Sequence, residues 1–294
     1  MNRHEKMLRV SRHHPCPICG RPDWCGFIGD SPTEPEGVVC MRVESRRPAR
    51  NGGWVHWLRP GSHSHERRHE IILPAATTPV PPAKIAAMAR CFAASAENGA
   101  ALPRLADELG VTASALRRFG VGVCWQQSCS TWPMTDDKGR VIGINRRFRD
   151  GSKKLFFGHK AGLYLPGDLP MDLSGQTLLI CEGGSDAVAG LSLGYWSVGR
   201  FSCSAGADFL RRLVRARRPH EVVIFADGDG PGLRGAEALA VALLPHVARL
   251  KLLEPPERIK DLRAWLKDGL TFEELRMCVA KSPYRRLTIE VEYD

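Results

Sequence analysis

Residues 222–232 read VVIFADGDGPG, an apolar run that ends on two aspartates, Asp227 and Asp229, one glycine apart. Asp and Gly are turn formers, so a turn closing a strand is one account of the stretch. The other account is chemical, because carboxylates this close repel unless a cation lies between them. The surrounding text bears on the choice. TLLIC, YWSVG, EVVIFA and ARLKLLE are short apolar runs, and SDAVAGLSLG, GADFLRRLVRARR and PGLRGAEALAVALLPHV, which separate them, carry a helical period. Buried strands alternating with helices predict an α/β fold with a parallel, doubly wound sheet. In such sheets ligands gather at the carboxyl ends of the strands.

By that rule Glu182, which ends TLLIC, meets Asp227 and Asp229 on one rim. Asp186 follows Glu182 by four residues and is expected on the same face of the helix that starts there. Several carboxylates on one rim form an all-oxygen cluster with open positions, the preference of Mg²⁺ or Mn²⁺. The turn account weakens accordingly.

EGGSD followed by DGD, each at a strand end and in that order, resembles the TOPRIM domain shared by bacterial and phage primases, topoisomerases and some nucleases, over residues 176–265. The resemblance implies metal coordination or acid/base work for Glu182 and metal holding for Asp227 and Asp229. It implies supporting acidic positions at Asp186 and at Asp261 in RIKDLRAWL, although an Asp opening a helix is also an ordinary cap.

Four cysteines fall near the amino terminus: Cys16, Cys19 and Cys25 in CPICGRPDWC, and Cys40 in GVVCMR. Cys16 and Cys19 have the knuckle spacing in which two thiolates share one zinc. If DWCGFI and GVVCMR form one hairpin, Cys25 and Cys40 complete a tetrahedral site, with His13, His14 and His56 as substitute ligands. Some sixty polar-rich residues hardly supply a core without a metal. The other cysteines, Cys91, Cys124, Cys129, Cys181, Cys203 and Cys278, share no ligand spacing and read as packing residues.

After GGWVHWLRP the chain turns His-rich and then Pro-rich with no period, which predicts a linker. The expected division is a zinc-binding ribbon over 1–62, a linker over 63–83, a mixed α+β segment over 84–175, and the TOPRIM sheet with a short tail over 176–294. In the middle segment, Ile85, Met88, Ala89 and Phe92 share one face of a helix. PRLADELGVTASALRRFGVG reads as two short helices around a glycine turn, either a DNA-reading helix-turn-helix or two packed helices. Turn signals at Asp137-Lys138-Gly139 and Asp150-Gly151 predict antiparallel hairpins. These strands carry Arg146, Arg147, Lys153 and Lys154 beside Trp132, Phe148, Phe156 and Phe157, a mixture that suits either a solvated face or a single-stranded nucleic-acid track.

The balance of 42 Lys+Arg against 32 Asp+Glu, a formal charge of +10, favours a polyanionic partner. No run approaches the roughly 18 apolar residues of a membrane span, and no signal peptide opens the chain, so a cytoplasmic protein without a membrane partner is expected. No G-x-x-x-x-G-K-[ST] occurs, which excludes a P-loop ATPase.

The order of zinc ribbon, linker, basic strands and TOPRIM sheet resembles phage-type primases. That resemblance implies a DNA primase, a nucleotidyltransferase making short RNA primers with structural zinc and catalytic Mg²⁺ or Mn²⁺. Its implied partners are a single-stranded DNA template, ribonucleoside triphosphates and a replicative helicase in trans. By position, Arg146, Arg147, Lys153 and Lys154 match the family's basic segment, which meets template or incoming nucleotide. A TOPRIM nuclease and a non-catalytic nucleic-acid-binding replication protein are the alternatives.

Overall fold

The computed structural model describes residues 8–49, 53–58, 80–98 and 100–286. The linker expected over 63–83 lies outside the described residues except for its last four. The chain divides into two compact units, Met1–Ala76 and Thr77–Asp294.

The first unit is an antiparallel sheet of β1 (Leu8–Arg9), β2 (Gly26–Ile28), β3 (Gly37–Cys40) and β4 (Trp54–Trp57), in that spatial order. β2 and β3 form the expected hairpin, with Gly26 opposite Val39. Its core contains Val10, Phe27 and Val38, and the rest of it is cysteine: Cys16, Cys25 and Cys40. So small an apolar set leaves the unit dependent on what the thiols bind.

The second unit opens with α1 (Pro82–Glu97), α2 (Ala101–Leu109) and α3 (Ala113–Arg118). The strands β5 (Gly122–Cys124), β6 (Cys129–Thr135), β7 (Val141–Phe148), β8 (Lys153–Leu155) and β9 (Leu163–Tyr164) follow. The last third alternates as the sequence predicts: β10 (Thr177–Cys181), α4 (Gly184–Ser192), β11 (Trp196–Arg200), α5 (Ala207–Arg217), β12 (Glu221–Phe225), α6 (Gly230–Leu243) and β13 (Leu250–Leu253). Two helices close it, α7 (Leu262–Lys267) and α8 (Phe272–Lys281).

One mixed sheet runs β13-β12-β10-β11-β9-β6-β7-β8, with β5 beside β6. β13, β12, β10 and β11 are parallel, and β9 joins them antiparallel to the β6-β7-β8 meander. The sheet therefore passes residue 175 without a break. The parallel strands are mostly apolar because helices cover both faces: Leu178, Ile180, Val222 and Ile224 pack with Leu210, Leu213 and Leu239 of α5 and α6. The alternate residues Leu179, Cys181, Val223 and Phe225 pack with Ala189, Leu262 and Leu275 of α4, α7 and α8.

Ile85 and Ala89 of α1 are buried on Ile144, with Met88 and Phe92 beside them, as their spacing predicts. α2 and α3 bury Leu102, Ala106, Ala115 and Leu116 against Trp132, Tyr164 and Ala187. Arg117 and Arg118 of α3 pair with Glu97 and Asp168 at 2.7 and 2.8 Å. The β6–β7 turn is tied by Asp136 Oδ1, which accepts from Lys138 N at 3.0 Å and Arg140 N at 2.9 Å. Cys124, Cys129 and Cys181 are buried as expected of packing residues, whereas Cys91 is exposed on α1. Of the tail, Tyr284 makes one antiparallel bridge to Lys251 of β13, and residues 287–294 lie outside the described residues. Among the described residues, no helix is long and apolar enough to cross a membrane.

Candidate active site and metal centre

In the first unit the ligand atoms of Cys16, Cys19, Cys25 and Cys40 all lie within 4.8 Å of one another. The knuckle supplies the first two, and the β2–β3 hairpin brings Cys25 and Cys40 Sγ to 4.0 Å. Met41 N donates to Cys25 Sγ at 3.4 Å and Val43 N to Cys40 Sγ at 3.3 Å. Arg42, held by Asp23 at 2.8 Å, turns its guanidinium to Cys19 and Cys25 at 3.9 and 3.8 Å. Burial pushes the Cys25 thiol up to about 12, with Cys16 and Cys19 adding to it. Cys19 falls to about 7 against its own burial, through the Arg21 N–H, the neighbouring thiols and Arg42. Four sulfurs this close become thiolates together only around a cation, and four sulfur donors suit tetrahedral Zn²⁺. His56 is committed elsewhere, its Nε2 3.0 Å from the Val43 carbonyl.

In the second unit the carboxylates gather at the carboxyl ends of β10 and β12, which pair in parallel with Ile180 opposite Ile224. Glu182 directly follows β10. Asp227 lies two residues past β12, and Asp229 caps α6 by accepting from Gly232 N at 2.8 Å. A Cβ on Gly232 would lie 2.7 Å from Asp227 Cβ, so only glycine lets this helix start so near the carboxylate. Asp261 caps α7, accepting from Ala264 N at 2.7 Å. The two accounts of these aspartates thus coexist: Asp229 and Asp261 are caps, and they are also members of the rim.

Asp186 reaches the rim by a different route from the one its spacing predicts. The residue before α4, Gly183, is extended (φ −160°, ψ 162°), so Glu182 continues the strand and shares no helical face with Asp186. Asp186 instead turns to α7, where its Oδ1 accepts from Arg263 N at 3.2 Å, and Ser185 Oγ donates to its Oδ2 at 3.3 Å.

The charges are strongly coupled. Asp227 is pushed up to about 8 by burial, then by Asp186, Glu182 and Asp261, with Lys260 opposing. Burial also raises Glu182; Arg200 opposes the shift, and Asp229 and Asp186 add to it. Asp186 is raised by burial and then by Asp261. Glu182 Oε2 is buried and accepts no hydrogen bond among the described residues. An orphaned buried oxygen among mutually repelling carboxylates fits a hard divalent cation. Among the described residues only the four cysteines bring three or more ligand atoms within 4.8 Å of one another, so the carboxylates are more widely spread.

The basic strands divide between two faces. β7 and β8 pair Arg146 with Lys154 and Arg147 with Lys153, so side-chain alternation sends the two pairs to opposite sides. Arg147 lies over Trp132, 5.1 Å from the ring centroid. Burial lowers its pKa, and Asp186 and Tyr164 pull it back. Lys153 is exposed as a residue, yet crowding by protein atoms and then by Arg147 lowers its ammonium, while Asp186 and Asp227 favour its charge. These two cations face the acidic rim. Arg146 is instead a brace: it donates to Gln127 Oε1 at 2.8 Å and to Leu155 O at 2.9 Å and lies 4.3 Å from the Phe156 ring centroid. Lys154 lies on that side too, 5.7 Å from the Phe148 ring centroid.

No family model matches the chain, and no curated protein matches it. Solved structures do. The Escherichia coli primase catalytic core matches with a TM-score of 0.55 at 19% identity, over 69% of this chain and 80% of the other. A DnaG primase catalytic domain bound to single-stranded DNA matches at 0.54 and 18%, over 69% and 78%. The zinc-binding and RNA polymerase domains of Aquifex aeolicus primase match at 0.54 and 16%, over 70% and 63%. This chain has the fold of a bacterial primase core.

Three cations on this primase fold were not singled out from the sequence. Arg200 ends β11 as Glu182 ends β10, so the strand-end rule that selects the carboxylates could have found it. Lys260 acts on Asp227 from the loop before Asp261. Arg263 meets Asp186 through its backbone and carries no motif.

Proposed function

We propose that this chain is a DNA primase, a nucleotidyltransferase that joins ribonucleotides into short RNA primers on single-stranded DNA. The observation that carries the reading is the coupled acidic rim on a primase fold, with Asp227 raised to about 8 and Glu182 Oε2 left without a partner. Glu182, Asp227 and Asp229 hold Mg²⁺ or Mn²⁺, and Asp186 and Asp261 support them while fixing α7. When bound there, such ions would offset the charge of nucleotide phosphates and make an attacking hydroxyl more acidic.

Arg147 and Lys153 face the rim and take the phosphates of template or incoming triphosphate, with Trp132 holding the Arg147 guanidinium. Arg146 and Lys154 support the same strands from the other side. The ribbon over 1–62 binds structural zinc through Cys16, Cys19, Cys25 and Cys40 and reads the template; 84–175 carries the basic strands and 176–294 the catalytic rim. A replicative helicase is its partner in this reading.

The test is incorporation of a labelled ribonucleotide on mixed-sequence single-stranded DNA with Mg²⁺ or Mn²⁺. Wild type yields short products, and Asp227→Ala loses at least about 100-fold while keeping its fold. Normal synthesis by the mutant sinks the mechanism. Fragmentation of labelled DNA with metal and no nucleotides would move the chain to the nucleases.

A further inference from the structure

The buried arginine at the end of β11 has no place in the roles assigned so far. β10 and β11 run parallel with Leu178 opposite Trp196, Ile180 opposite Val198 and Cys181 opposite Gly199. The next pair in that register is Glu182 and Arg200, on the same face of the sheet by the two-residue period. Arg200 is 4% exposed. A guanidinium stays charged when buried, so its cost must be met by neighbouring negative charge or acceptors.

The neighbours are of both kinds. Arg200 Nη1 donates to the Cys203 carbonyl at 2.6 Å. Glu182, Cys203 and Asp227 favour its charge against the desolvation that opposes it. Yet among the described residues no ion pair joins Arg200 to Glu182. A guanidinium clamped on that carboxylate would occupy the oxygens a metal needs. Anchored on a carbonyl, it supplies positive charge and leaves Glu182 Oε2 open.

The anchor is itself built into the rim. A Cβ on Gly235 would lie 2.6 Å from Cys203 Cβ and 2.7 Å from Cys203 O, so α6 seats the Cys203 turn directly. α6 is the helix that Asp229 caps. One helix thus both carries the Asp229 cap and seats the carbonyl that holds Arg200.

We infer that Arg200 is a built-in counter-charge of the acidic rim, a positioning residue that offsets one unit of its repulsion and limits how tightly divalent ions are held. This rests on the rim being the metal site proposed above. A fixed cation near such a site weakens divalent binding, and its removal strengthens it. A merely structural arginine has the opposite effect, because its loss would loosen the site.

The experiment is Mn²⁺ titration of the full-length, zinc-loaded protein, followed by the electron paramagnetic resonance of free Mn²⁺. Arg200→Gln retains a donor for the Cys203 carbonyl and lacks the charge. It is expected to bind Mn²⁺ roughly tenfold more tightly than wild type, to reach its best incorporation at lower metal, and to fall below wild type at that optimum. Arg200→Lys is expected to stay within about twofold of wild type, since it keeps the charge. Unchanged or weaker binding in Arg200→Gln, with wild type binding normally, overturns the inference and leaves the primase reading intact. Wild type that binds no Mn²⁺ overturns both. Should Arg200→Gln fail to fold, Arg200→Met, which keeps the length of the side chain and removes its charge, takes its place: tighter Mn²⁺ binding supports the inference, and unchanged or weaker binding overturns it.

Discussion

Asp227 carries the sharpest consequence of any single residue. Its pKa in the fold is about 8, raised by burial and then by Asp186, Glu182 and Asp261, against roughly 3.9 in an unfolded chain. The folded state therefore holds a proton there that the unfolded state has lost, and stability falls as pH rises from about 4 through about 8. In protein freed of Mg²⁺ and Mn²⁺, Asp227→Asn should melt about 5 °C above wild type at pH 8.5, with the difference closing towards pH 5. Added Mg²⁺ should raise the wild-type melting temperature and leave the mutant nearly unmoved. A difference in Tm that ignored pH would show that Asp227 does not titrate with its neighbours. The residues flanking the aspartate were legible in sequence because a strand end is a local feature, but its shift was not, since three of its causes come from other elements.

At the scale of the element, β7 and β8 show what a charge run can hide. RRFRDGSKK reads as one basic segment, and the strand period cuts it in two. Arg147 and Lys153 turn to the acidic rim, while Arg146 is fixed by Gln127, the Leu155 carbonyl and the Phe156 ring. The two neighbouring arginines should therefore fail differently. Arg147→Ala should reduce ribonucleotide incorporation by about tenfold or more through weaker phosphate contacts, with little change in Tm. Arg146→Ala should cost about 2 kcal/mol in urea unfolding, the loss of two charge-assisted hydrogen bonds and a cation–π contact. Equal behaviour of the two mutants in both assays would contradict the division of faces. Alternation was available from the sequence; which face met the rim was not, because that depends on β9 joining β6 to β11.

The whole molecule has two cores of very different kinds. That of residues 77–294 is a layered sheet with helices on both faces, whereas half of the buried residues in the small core of the first unit are cysteines. Removing zinc, or replacing Cys25 by Ser, should abolish the first unit's calorimetric transition and leave that of the second within about 2 °C. A zinc-free protein that kept both transitions would show that the ribbon folds on apolar contacts alone. The sequence by itself determined the alternating sheet, the hairpin that closes the four-cysteine set, and the strand ends that carry Glu182, Asp227 and Asp229. Each of these depends on periodicity or spacing within a few residues, which local backbone geometry enforces. Only the tertiary structure decided that Asp186 turns to Arg263, 77 residues away, that Arg146 and Arg147 part company, and that Arg200 stands beside Glu182. Those outcomes depend on the register between strands and the packing of distant helices, which no single stretch of chain contains.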